Sequence, residues 1–308
     1  MELKKRRIGT SDLLVSEAAL GCMSLGTDKE KALSLLDEAI DLGINYLDTA
    51  DLYDFGTNEE IVGEAIKNRR QDLILATKGG NRFEKGKPGW DWDASKAYIK
   101  EAVKQSLKRL QTDYIDLYQL HGGTIDDPID ETIEAFEELV EEGVIRYYGI
   151  SSIRPNVIKE YAKKSNIVSV MMQYSLLDRR PEEWFSLLEE QSISVVARGP
   201  LAKGLLTEKP LSQASAAIQK NGYLQYSFEE LQQIIPSLKK VAYDLSLTEL
   251  SIQYILKHSA VSSVVFGASS VDQLKENIAA ANARSLSDQE VKAVTYYTKP
   301  FVYEAHRS

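Results

Sequence analysis

The sequence predicts a single (β/α)8 barrel, the TIM-barrel fold. Residues 1–308 form one domain, with an N-terminal β-hairpin plugging one end and an extra C-terminal helix. Three observations predict it. Apolar runs of strand length alternate with amphipathic helical patterns, eight times over. The runs are continuous rather than alternating, which marks strands covered on both faces and hence a parallel sheet. Right-handed crossovers allow an open doubly wound sheet or a closed barrel, and eight units in about 270 residues fit the closed barrel best.

The first strand lies in "EAALGCMSLG" (17–26), followed by "INYLDTA" (44–50), "LILATKG" (73–79) and "YIDLYQLHG" (114–122). The remaining four are "VIRYYGIS" (144–151), "IVSVMMQYS" (167–175), "ISVVARGP" (193–200) and "VSSVVFGAS" (261–269). Between the first two, Ala32, Leu35, Leu36, Ala39 and Ile40 step with helical period, Thr27 or Asp28 can cap the start, and Gly43 stands where the helix should end. Ile99, Ala102, Val103, Leu107 and Leu110 repeat the pattern, with Asp93 as the candidate cap, and "DETIEAFEELVEEG" stops at Gly143. Two connections are long, 81–93 after the third strand and 201–227 after the seventh. Long loops at strand C-termini are where a barrel builds its site. The segment "KKRRIGTSDLLVS" reads as a hairpin turning near "GTSD", at the opposite end. A final helix runs from about Ser287 to Lys299, outside the eightfold count.

Composition narrows the function classes. Lys plus Arg number 37 against 46 Asp plus Glu, a formal charge of −9, and no basic stripe offers itself to nucleic acid or an anionic membrane surface. The run "KKRR" at 4–7 is short and reads as a solvated strand edge. The single cysteine, Cys22, excludes an intrachain disulfide and a thiol-paired metal knuckle. The N-terminus has no apolar core of a secretory signal, and no apolar run is long enough to span a bilayer. The expectation is a cytoplasmic monomer with no membrane or nucleic-acid partner.

The stretch "YLDTADLYD" (46–54) opens as a buried strand and ends as a polar loop. In a barrel, Asp48 stands at the C-terminal end of strand two and Tyr53 follows it. Lys78 ends strand three and His121 ends strand four. Four titratable groups then converge at one mouth. Alone, each has an ordinary structural reading, a satisfied core ion pair or a packed histidine. Together they suit proton donation to a carbonyl. A free tyrosine is a reluctant acid, and a nearby ammonium stabilises phenolate over phenol. A desolvated lysine needs a counter-ion, which Asp48 supplies, and His121 can hydrogen-bond a substrate oxygen. Asp48, Asp51 and Asp54 do not read as a metal site, because a spacing of three gathers side chains only on a helix.

From "EAALGCMSLG" to "VDQLKENIAAA" the chain resembles the aldo-keto reductases, NAD(P)H-dependent (β/α)8 barrels. The segment "GINYLDTADLYDFGTNEEIVGEAI" is similar to the family's first signature. Next come "ATKGG" with its lysine, "DYIDLYQLH" with its histidine, then "GVIRYYGISS", "MMQYSLLDR" and "GPLAKGLLTEK" in family order. The resemblance implies a catalytic tetrad of Asp48, Tyr53, Lys78 and His121, with Tyr53 the general acid, Lys78 its modifier, Asp48 the partner of Lys78, and His121 orienting the carbonyl. It implies a nicotinamide cofactor, NADPH with NADH the alternative, whose amide meets Ser151 and Gln173. The pyrophosphate would lie near Leu201, Lys203 and Gly204. The adenosine end would use Gly267, Ala268, Ser269, Ser270, Gln273, Glu276 and Asn277. Gly21, Cys22, Met23, Asp48, Ser152, Arg198, Gly199 and Pro200 complete the implied cofactor set. "GASSVDQ" opens a helix, which suits a phosphate but equally a plain serine cap.

The chain departs from the family pattern in four places. Ser152 stands where Asn is common, Arg198 replaces a ring that often stacks on the nicotinamide, and Asp54 replaces a glycine after the tyrosine. Basic residues that often grip a ribose phosphate are absent from 268–273. A carboxylate at 54 pointing inward would oppose Lys78. Trp90 and Trp92 are candidates for an apolar wall over an aldehyde or ketone substrate, or for anchors pinning their loop. The function expected is reduction of aldehyde or ketone carbonyls to alcohols, hydride from nicotinamide and proton from Tyr53. The alternative is an NADPH-binding regulatory or redox-sensing subunit with slow turnover.

Overall fold

The computed structural model describes residues 3–308. Among them, twelve strands occur. A hairpin of β1 (Lys5–Arg7) and β2 (Leu14–Ser16) opens the chain, and β3 (Ala18–Gly21) and β4 (Tyr46–Asp48) follow. Next are β5 (Ile74–Gly79), the short pair β6 (Asn81–Arg82) and β7 (Asp91–Trp92), and β8 (Ile115–Leu120). The series ends with β9 (Ile145–Ser151), β10 (Ser169–Gln173), β11 (Ser194–Arg198) and β12 (Val261–Phe266). Strands β3, β4, β5, β8, β9, β10, β11 and β12 close into one barrel, β12 pairing with β3, and every pairing is parallel. The eight strands read from the sequence are these eight.

Side chains alternate along each strand, so one parity fills the barrel and the other meets the helices. The inner set includes Ala19, Tyr46, Ile74, Ala76, Leu117, Met171, Val196 and Val265, packed with Ile8, Leu13 and Val15 of the hairpin. The hairpin therefore plugs the end where the strands begin. The outer set, including Leu20, Leu47, Leu75 and Val264, packs under the helices. Continuing the inner parity toward the strand ends gives Asp48, Lys78, Gln119, His121, Ser151, Gln173 and Arg198. Register then sets these side by side: Gly21 with Asp48, Lys78 with Gln119, Gln173 with Arg198.

The helix Lys29–Asp41 is capped by Asp28, whose carboxylate accepts from the Lys31 amide. The last helix, Asp288–Tyr297, starts at a Ser287–Glu290 capping box and stops at Thr298, whose backbone is extended. Two expectations need correction. Ser95, not Asp93, caps Lys96–Leu110, accepting from Tyr98 N. Asp93 instead accepts from the Ser95 amide at 3.0 Å and pairs with Arg82, fastening the β6–β7 ribbon. Nor is the "KKRR" run merely a solvated edge. Arg6 donates to Glu17 and to the carbonyls of Leu256, His258 and Val261.

Candidate active site

The strand ends of β4 and β5 build the centre of the mouth. Lys78 is buried, and its ammonium donates to Asp48 Oδ2 at 2.7 Å and to the Thr49 carbonyl at 2.7 Å. Its third donor points at the Tyr53 hydroxyl, 3.3 Å away. Asp48 has a second partner in Gln119, whose Nε2 lies 3.5 Å from Oδ1. Burial alone would strip both charges. On Lys78 the attraction of Asp48 and Tyr53 outweighs that penalty, and its pKa lies above the ordinary lysine value. Burial lifts the Asp48 carboxyl, and the Lys78 charge pulls it back.

His121 closes the other side of Tyr53. The two rings meet edge-on, centroids 5.7 Å apart, and the His121 amide is tied to the Gly79 carbonyl at 2.8 Å. Burial, then the charges of Lys78 and Arg198, push the imidazole down to about 3, so the ring is neutral at physiological pH. Its Nδ1 is buried with no hydrogen-bond partner among the described residues. Asp54 is exposed and turned away by a left-handed backbone, φ 49°, so its carboxylate does not face Lys78. All four predicted tetrad residues thus share one mouth.

The predicted cofactor residues divide into three groups. Gly199, Pro200, Leu201, Lys203, Gly204, Gly267, Gln273, Glu276 and Asn277 line one cleft of about 590 Å³. The cleft adds Thr207, Lys209 and Gln213, which sequence reading missed because nothing in the 201–227 loop marks which residues fold back. Gln173 and Arg198 meet at the mouth, Arg198 Nη1 lying 3.4 Å from Gln173 Oε1, while Gln173 Nε2 is held by Asp178 at 3.0 Å. Ser151 shares their inner parity.

The third group is set back. Cys22 follows the outer parity of Leu20, its thiol is buried, and burial followed by the nearby Asp48 charge raises its pKa. A contact from Cys22 to a ligand would have to come from its backbone. Ser152 is also outward, its Oγ accepting from the Arg154 amide. Ser270 caps the helix Val271–Ala281, and Ser269 bonds Gln273. Ala268 is buried, and its amide donates to Ser24 Oγ at 2.9 Å. Ser24, another residue the sequence did not flag, ties the 267–268 turn to the loop after β3 through that bond and its contact with the Ala268 carbonyl. Met23 and Trp90 stand exposed. Trp92 is half-buried, its indole donating to Asp127 at 2.8 Å and its ring lying against Gly80 and Gly122, beside His121. It is an anchor that pins its loop to the barrel.

The site meets the demands of a dinucleotide. The cleft has backbone bare of side chains at Gly199, Gly204 and Gly267, and two ammonium groups in Lys203 and Lys209. Fold and site together define a closed parallel barrel with a buried cluster of titratable groups at its mouth and a nucleotide-sized cleft along the same rim. The chain belongs to the aldo/keto reductase family: residues 18–298 match the sequence model described as "Aldo/keto reductase family". It is 72% identical over 306 residues to the uncharacterised oxidoreductase YqkF of Bacillus subtilis, covering 99% of this chain and 100% of that one. Identity to the NADH-specific methylglyoxal reductase of Escherichia coli is 31% over 314 residues, 94% of this chain and 96% of that one. The holo form of aldo-keto reductase AKR11C1 from Bacillus halodurans superposes with a TM-score of 0.95 at 64% identity, covering 100% of both chains. The chain is therefore an enzyme of nicotinamide-dependent carbonyl oxidoreduction.

Proposed function

We propose that the protein reduces aldehyde and ketone carbonyls to alcohols with NADPH, Tyr53 delivering the proton, and oxidises alcohols in reverse. The carrying observation is the buried Lys78 ammonium, 2.7 Å from Asp48 and 3.3 Å from the Tyr53 hydroxyl. When bound, the cofactor supplies hydride to the carbonyl carbon. Tyr53 hydrogen-bonds the carbonyl oxygen and hands over its proton as negative charge gathers there. Lys78 stabilises the charge left on the phenol, and Asp48 keeps Lys78 oriented and protonated. The neutral His121 offers one N–H to the same oxygen and fixes the approach of the carbonyl. Ser151 and Gln173 would hold the carboxamide of the nicotinamide, and the 199–204 and 267–277 segments would hold the phosphates and adenosine. Trp92 and Trp90 would exclude water from the reacting carbon.

Lys203 and Lys209 favour NADPH over NADH. Both face the cleft, Lys209 has no ion-pair partner among the described residues, and Glu208 is already engaged by Lys239. Unpaired cations suit the additional phosphate. Fluorescence titration of wild type and Tyr53→Phe with NADPH and NADH, alongside aldehyde turnover, tests the reading. The expected outcome is tighter NADPH binding in both proteins and a loss of about a hundredfold or more in kcat in the variant. A Tyr53→Phe protein that keeps its turnover would refute the reading. Tighter NADH binding would overturn the cofactor preference.

A further inference from the structure

The turn that carries Tyr53 is strained. After Tyr53 come three positive φ values, Asp54 at 49°, Phe55 at 51° and Gly56 at 88°. Glycine adopts that conformation freely, whereas aspartate and phenylalanine do not, and such a turn persists only where its surroundings over-determine it.

The restraint comes from the far end of the helix Lys96–Leu110. The Cδ and Nε of Arg109 lie 2.7 and 3.0 Å from where a Cβ on Gly56 would stand, so only glycine fits beneath that side chain. Arg109 Nε donates to Glu59 Oε2 at 2.7 Å. Glu59 is fully buried in the first turn of the helix Thr57–Ile66, and its other oxygen accepts from Thr77 Oγ1 at 2.5 Å. Thr77 directly precedes Lys78. The Phe55 ring meets Phe83 edge-on at 5.7 Å, and the Arg109 guanidinium lies 5.9 Å from the same Phe83 ring. The base of the clamp is fixed too. At Gly63 the two helices touch so closely that a Cβ would stand 2.6 Å from the Leu110 carbonyl.

We propose that Arg109 is a positioning residue for carbonyl reduction. It locks the 54–56 turn directly and the Lys78 strand through Glu59 and Thr77, so the Tyr53 hydroxyl is held at its 3.3 Å distance from the ammonium. Arg109 lines a separate cavity of about 730 Å³ on the outer side of the turn, with Asp51, Phe55 and Phe83 in its wall. Proton transfer tolerates little displacement, and a shift of about 1 Å costs on the order of a hundredfold in rate. The inference rests on Tyr53 being the proton donor.

The test compares Arg109→Ala, Arg109→Lys and Gly56→Ala with Tyr53→Phe, using 4-nitrobenzaldehyde for turnover and fluorescence quenching for NADPH binding. Arg109→Ala and Gly56→Ala should each lower kcat about tenfold or more, with the NADPH Kd held within about twofold. The cofactor cleft shares no residue with this cluster. Millimolar guanidinium, which the cavity admits, should restore part of the kcat of Arg109→Ala and change neither wild type nor Gly56→Ala. Should Arg109→Ala not fold because Glu59 is left unpaired, the other two variants carry the test. Arg109→Lys keeps the charge, and Gly56→Ala pushes on the Arg109 stem while leaving both partners of the ion pair in the chain. Variants that melt lower yet keep their kcat would overturn the proposal, as would a Kd that rises in step with the fall in kcat. A Tyr53→Phe protein that still turns over defeats the underlying reading. An inactive Tyr53→Phe beside fully active Arg109 variants defeats the inference alone.

Discussion

His121 shows how the barrel sets the state of a single side chain. Its ring is buried beside Lys78 and faces Arg198, and burial first, then those charges, hold its pKa near 3 rather than 6.5. Across that window the unfolded chain binds the proton that the native state refuses. Stability therefore falls as pH drops from 6.5 toward 3, by about 1.4 kcal/mol for each unit, and is untouched above 6.5. Buried acids with raised pKa values, such as Asp51, act in the opposite sense, but they are common to wild type and variant and cancel in a comparison. Urea unfolding of wild type and His121→Gln at pH 7 and pH 5 isolates the histidine. The difference should move in the variant's favour by about 2 kcal/mol on acidification. A pH-independent difference would mean that the native ring takes up its proton over the same pH range as the unfolded one.

At the scale of elements, what the sequence reveals follows from what each element buries. The eight barrel strands were legible because both faces are covered, and continuous apolar runs announce that. The gathering of Asp48, Lys78 and His121 at one mouth was legible because polar residues in such runs have only the strand ends to go to. The strands β6 and β7 were not, since two residues carry no period. Asp93 and Ser95 are both good caps, and only the position of Arg82 decides between them. Parity separates Gly21 from Cys22 and Ser151 from Ser152 once the strands are in register, but the resemblance alone grouped them. Gly63 stands inside the helix Thr57–Ile66, where a glycine is ordinarily a weak spot. Packing gives it another meaning. Gly63→Ala should gain about 1 kcal/mol of helix propensity. It must also find room where the Leu110 backbone stands 2.6 Å from the new methyl, and overpacking against backbone costs about 1–3 kcal/mol or more. The steric cost wins, and thermal melting should show a net loss of about 1–2 kcal/mol. A more stable Gly63→Ala protein would mean the helices can part without penalty.

Across the whole molecule, the two ends of the barrel divide the work. Chemistry gathers where the strands end, and closure where they begin. Arg6 is the clearest case at the closing end. Its guanidinium takes the Glu17 carboxylate at 2.6 Å and the Leu256, Val261 and His258 carbonyls at 2.7, 2.9 and 3.2 Å. Leu256 ends the helix Leu247–Leu256, whose last carbonyls lack partners and carry the negative end of its dipole, so a cation there satisfies both needs. The hairpin holding Arg6 also supplies Ile8, Leu13 and Val15 to the barrel interior, so the staple fixes the plug to the sheet it seals. Arg6→Met keeps the apolar stem but leaves Glu17, nearly buried, without its cation. Charge-assisted bonds of this kind contribute about 1.5–3 kcal/mol each at most when buried, and partial exposure of Arg6 argues for a total near 2 kcal/mol. The variant should melt a few degrees lower and bind NADPH with unchanged affinity, because no atom of the staple approaches the mouth. Calorimetry with cofactor titration on the same sample checks both halves. A weakened NADPH Kd in Arg6→Met would mean that the plug transmits strain along the strands and that the two ends are not independent.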